Sequence, residues 1–124
     1  MLTILTKLVA VFFGGMGLLA LALPEQISGT FGTPQLTPDG RNEVRAVYGG
    51  FGLAVAAILA AAGSLPALGR GIYFTIAVAL LGMAGGRIVA ATVERPQGLY
   101  PCWFYFGVEA AMAAILLAAA MVMP

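Results

Sequence analysis

Of the 124 residues, 61% are apolar, 9% carry a charged side chain, none is histidine, and the formal net charge is +1. A soluble domain carries about a quarter charged residues, and a short chain cannot hide such a deficit in a larger core, because small domains expose proportionally more surface. The solvent over most of this chain is therefore lipid, and without a basic cluster nucleic acid is excluded as a partner.

The same composition removes whole chemistries. Without histidine there is no haem His ligation, no HExxH zinc site and no Ser-His-Asp triad. Cys102, the one cysteine, can form neither an internal disulfide nor an iron–sulfur or structural zinc site. No catalytic residue, metal or cofactor is expected.

Four apolar runs, roughly 3–23, 44–63, 71–92 and 102–123, are long enough to cross a bilayer. About 20 residues at 1.5 Å each span its ~30 Å core. Backbone groups in lipid must be satisfied internally, so each run is a helix rather than an open strand. The first ends at Pro24, a helix-stopping residue. Its Ala20-Leu21-Ala22 imitates a signal-peptidase site, but the long apolar core, with Lys7 as its only early cation, reads as a retained helix. Residues 24–43, rich in Gly, Thr and Pro, form the one long connection.

The second run opens with Arg41-Asn42-Glu43-Val44-Arg45-Ala46-Val47-Tyr48-Gly49-Gly50 and ends near Pro66, the third ends at Glu94-Arg95-Pro96, and the fourth ends with the chain. Tyr73, Tyr100, Trp103 and Tyr105 lie near run ends, where interfacial aromatics belong. The later connections are short, so sequential helices are antiparallel neighbours and the expected fold is all-α, a single four-helix transmembrane domain in up-down-up-down order. Tyr48, Gly50, Ala54 and Ile58 match Tyr105, Gly107, Ala111 and Ile115 at one offset. This is either a parallel duplication of a helix hairpin or the common look of alanine-rich helices.

The end with both termini carries Lys7 and Arg70 without an acidic residue, while every acidic residue falls toward the other end. Discounting Arg45 and Arg87, which lie inside helices, both termini are expected in the cytoplasm.

Ionisable residues inside these runs are the candidate site. An intramembrane charge costs about 2.5–3.5 kcal/mol at mid-membrane on insertion scales, so such groups face inward and pair. Glu109 lies about seven residues into the fourth helix, roughly 10 Å deep. With Arg87 it forms the expected pair of deepest charges. Glu43 with Arg45 is the secondary pair, although about 200° apart around their helix. Tyr48 at i+3 from Arg45, and Tyr105 at i−4 from Glu109, share a face with those charges. The expected cluster is Glu43, Arg45, Tyr48, Arg87, Tyr105 and Glu109. It reads as a structural clasp that fixes helix register, as an anion or ligand site, or as side chains snorkelling to the surface. Gly14, Gly15, Gly49, Gly50, Gly52, Gly82, Gly85 and Gly86 are expected to let helices approach closely. Gly49-Gly50-Phe51-Gly52 lacks the lysine of a phosphate loop.

Asn42–Gly50 opening the second run, Gly85-Gly86-Arg87 closing the third and Glu109 in the fourth resemble a bacterial family of small four-helix membrane proteins, the domain of unknown function 4345. The resemblance covers nearly the whole chain and implies the same architecture and the same polar residues. The first functional reading is a non-catalytic accessory or scaffold subunit, docking in the lipid bilayer against a larger membrane protein or as a homo-oligomer. The alternative is a binder or carrier of a small anionic or amphiphilic ligand at the Arg/Glu/Tyr cluster. A membrane enzyme using Glu109 and Tyr48 ranks last.

Overall fold

A computed structural model describes residues 1–33 and 35–123, and all regular structure among them is helical. Four helical stretches are long and apolar enough to cross a membrane: Leu2–Ala22, Pro38–Ala62, Gly69–Val93 and Leu99–Val122. The chain is an all-α integral membrane protein. Its helices are apolar all round, as lipid requires. Val11, Leu18, Phe51 and Val89 remain largely exposed on the protein surface, which in a bilayer is the surface facing acyl chains.

The connection expected over 24–43 is more ordered than its composition suggests. Helix α1 (Leu2–Ala22) is followed by a short α2 (Pro24–Gly29) and then α3 (Pro38–Val44). The second span thus begins at Pro38 rather than near 44. Local chemistry accounts for both additions. Pro24 and Pro38 sit in the first turns of their helices, where a missing N–H costs nothing and φ is preset. The Thr37 side chain accepts from the Gly40 amide at 3.1 Å, an N-cap. Between the two helices Gly32 takes φ +85°, a left-handed conformation that glycine adopts without steric penalty.

Helix α3 runs through a π-helical turn, Arg45–Gly50, into α4 (Phe51–Ala62). After α5 (Gly69–Val93), a kinked stretch, Leu99–Trp103, with Tyr100 extended at φ −98° and ψ 140° and a cis Tyr100–Pro101 bond, leads into α6 (Phe104–Val122).

The chain divides into two compact units, residues 7–61 and residues 1–6 with 62–123. In the first unit α1 packs antiparallel to the Pro38–Ala62 span at backbone distance. A Cβ added to Gly17 would meet the Leu53 amide nitrogen at 2.9 Å and the Gly49 carbonyl at 3.0 Å. One added to Gly52 would meet the Phe13 carbonyl at 3.2 Å, and one added to Gly49 the Leu21 side chain at 2.7 Å. Small residues admit such an approach between membrane helices, where packing replaces the hydrophobic effect as the driving force. Val9, Phe13, Val55 and Leu59 are buried.

The second unit is a hairpin of α5 and α6, also antiparallel, since Gly69 lies against Met123 and Arg87 against Glu109. Tyr73, Ala77, Leu80 and Ala84 are buried along one face of α5. Met112, Ala113, Leu116, Ala119 and Ala120 are buried on α6. Both sets recur every three or four residues, one stripe of an α-helix.

Candidate functional site

Burial singles out one charged residue. Glu109 is 3% exposed, the only Asp, Glu, Lys or Arg buried among the described residues. Arg87 donates to it through both arms of the guanidinium, Nε to Oε2 at 2.8 Å and Nη2 to Oε1 at 2.7 Å. This fork-to-fork geometry is the strongest pairing available to the two groups. Arg87 comes from the last two turns of α5 and Glu109 from the second turn of α6, so the bond ties the two helices together near the segment that connects them.

The Arg87 guanidinium also lies 5.4 Å from the centre of the Tyr105 ring, within cation–π range. Tyr105 stands one turn before Glu109, so the helix repeat puts ring and carboxylate on the same side. The ring is held among other aromatics, 5.9 Å from Tyr100 and 5.3 Å from Phe104 between ring centres. The Tyr105 ring thus lies against the same arginine that donates to both Glu109 oxygens.

Glu43, Arg45 and Tyr48 belong to the other unit. The expected secondary pair is not formed. Glu43 is exposed, and Arg45 instead donates through Nε to the Leu21 carbonyl at 3.0 Å. That oxygen is one of the last four carbonyls of α1, which lack partners within their own helix. Tyr48 stacks on Phe31, with ring centres 6.2 Å apart. Both Arg45 and Tyr48 fall in the π-helical turn, whose i→i+5 bonding alters the angular spacing on which the i+3 argument depends.

The unit holds a further ion pair. Arg41 Nη1 lies 3.4 Å from Glu25 Oε1 and donates to the Leu36 carbonyl at 2.8 Å. Both side chains are substantially exposed, so the pair adds ~0–1 kcal/mol. With Arg45 they line a cleft of about 510 Å³ beside Leu23 and Pro24. The sequence signal for this arrangement was the Thr37-Pro38 cap, which carries Arg41 one turn into α3.

The glycines separate in the same way. Gly49 and Gly52 lie at close approach, together with Gly17, and Gly14 makes an ordinary contact with Ala56 at 3.6 Å. At Gly15, Gly82, Gly85 and Gly86 an added Cβ would meet nothing within 4 Å, and at Gly50 only the Arg45 carbonyl at 4.0 Å. These five seat no neighbouring helix among the described residues. Gly69 has no place in the expected set, yet it is crowded by the Ala62 carbonyl and the Met123 side chain. Its position just after Pro66, where the turn brings the backbone close, was the available sign.

No group of three or more His, Cys, Asp or Glu among the described residues could hold a metal ion. Cys102 is a free, partly exposed thiol. No curated protein and no solved structure matches the chain. The family model of the domain of unknown function DUF4345 matches residues 1–120. The chain belongs to that family.

Proposed function

We propose that this member of the DUF4345 family is a non-catalytic accessory subunit, docking within the bilayer against a larger membrane protein or a second copy of itself. One observation carries the reading: both oxygens of Glu109 accept from Arg87, so the hairpin's deepest charges are committed to each other. A buried ion pair of this kind fixes register without adding much net stability, which suits a rigid docking element. The outer surface supports it. Gly82, Gly85 and Gly86 on α5 stand open, flanked by exposed Val78 and Val89. The Gly82-x-x-x-Gly86 spacing is one that partner membrane helices use for close approach. The positive-inside distribution of Lys7 and Arg70 favours cytoplasmic termini in a bacterial inner membrane.

Native mass spectrometry of the protein extracted gently from its own membrane tests this. The expected spectrum holds a stoichiometric membrane partner or a homo-oligomer, lost on Gly82→Leu with Gly86→Leu. Those substitutions enter open space and leave the hairpin folded. A monomer carrying a small anionic molecule that disappears in Arg87→Ala would replace this reading with ligand binding at the charge cluster.

A further inference from the structure

Helix α5 carries two arginines, and only one has a carboxylate. Arg87 is matched by Glu109. Arg70 lies 17 residues earlier on α5, about 25 Å away along the helix. It is exposed, and among the described residues it makes no hydrogen bond or ion pair. No Asp or Glu occurs between Glu43 and Glu94, or after Glu109, so no acidic side chain at this end of the hairpin neutralises it.

Arg70 borders a cleft of about 650 Å³ between the start of α5 and the end of α6, well within the ~300–1,000 Å³ of ordinary small-molecule sites. Arg70, Gly71 and Phe74 form one wall, at i, i+1 and i+4; Leu117, Ala120 and Met121 form the other. Gly71 widens the cleft beside the guanidinium, since a Cβ there would meet nothing within 4 Å. Apart from Arg70 the side chains on these walls are apolar, and the cleft opens on the surface of a membrane-spanning hairpin. A cation at one end of an apolar groove near a helix terminus complements a molecule with an anionic head and a hydrocarbon tail.

We infer that this groove is a binding site for one anionic phospholipid, its phosphate at Arg70 and an acyl chain along Phe74, Leu117 and Met121. The planar guanidinium matches phosphate oxygens two at a time. Its position near the end of a span puts it where headgroups lie, within reach by snorkelling. The site is separate from the Arg87–Glu109 pair and does not depend on the accessory role.

The test uses the full-length protein in nanodiscs of equimolar phosphatidylglycerol and phosphatidylcholine, with retained lipid read by native mass spectrometry. The wild type is expected to keep one tightly held lipid, phosphatidylglycerol over phosphatidylcholine by about five-fold, the factor that ~1 kcal/mol per cation supplies. Arg70→Gln should retain the two equally, and Arg70→Lys should restore part of the preference. Gly71→Leu, which fills the groove and leaves the charge, should lower the retained stoichiometry by one. Its far-ultraviolet circular dichroism should stay unchanged. Equal retention in the wild type, an undiminished preference in Arg70→Gln, or unchanged stoichiometry in Gly71→Leu would each overturn the assignment. Competition by soluble glycerol 3-phosphate as effective as that by the lipid would also overturn it, by removing the apolar wall from the site.

Discussion

The two antiparallel hairpins of this protein solve one problem by different means. In lipid no hydrophobic effect drives helices together, so association rests on close packing or on polar bonds. The first unit uses packing: Gly17, Gly49 and Gly52 bring α1 against the Pro38–Ala62 span until backbone atoms touch, and its arginine there, Arg45, is spent on the Leu21 carbonyl. The second uses a bond: α5 and α6 join through Arg87 and Glu109, while Gly71, Gly82, Gly85 and Gly86 of α5 are left open. A glycine-rich membrane helix therefore need not be a tightly packed one, and an arginine at a helix end need not have a carboxylate.

Breaking the bond should have the largest effect. Glu109→Gln leaves the Arg87 charge without its carboxylate, and removing one partner of a buried pair costs about 3–5 kcal/mol. The yield of folded protein and its melting temperature in mild detergent should both fall sharply. Replacing both residues together, Arg87→Met with Glu109→Leu, should recover most of the loss, because an apolar pair of similar volume carries no uncompensated charge. Unchanged stability in Glu109→Gln would show that the pair is not what holds the hairpin.

Breaking the packing should come next. In Gly17→Ala the new methyl meets the Leu53 nitrogen and Gly49 oxygen at 2.9 and 3.0 Å, and both are backbone atoms that cannot rotate away. Overpacking of this kind costs about 1–3 kcal/mol. The control sharpens the contrast: Gly85→Ala on α5 enters open space and should leave stability level or raise it by up to ~1 kcal/mol, the difference in helix propensity. Parallel thermal unfolding of the two variants separates the hairpins. Equal losses would sink the distinction drawn between them.

Much of this contrast was legible in the residues. The four spans follow from hydropathy and length alone, and the Arg87–Glu109 pair follows from the cost of leaving either charge alone in lipid. Spacing arguments fared less well around Arg45, because they assume an α-helical repeat. A π-helical turn over Arg45–Gly50 changes which side chains share a face, and no residue pattern announces it. The short helices at Pro24 and Pro38 were masked by reading Gly, Thr and Pro as loop formers, although Thr37-Pro38 is also an N-cap followed by a first-turn proline. Which glycines are crowded was not legible, since small-residue spacing is the same whether or not a second helix occupies it.

The smallest effect concerns how Arg87 is held in place. Its guanidinium has the Glu109 carboxylate at one edge and the Tyr105 ring 5.4 Å from its centre. If the ring contributes through its face, Tyr105→Phe should be close to neutral, because the quadrupole remains. Tyr105→Leu should then lose about 0.5–1 kcal/mol. If the hydroxyl matters more, Tyr105→Phe already shows most of the loss seen in Tyr105→Leu. Introducing Tyr105→Leu into the Arg87→Met, Glu109→Leu background completes the argument. With the cation gone, the ring should be worth only its packing, and the coupling between the sites is the difference between the two losses. A coupling near zero would leave the aromatic cluster of Tyr100, Phe104 and Tyr105 as interfacial packing, and the first unit's Tyr48–Phe31 stack would then be its counterpart.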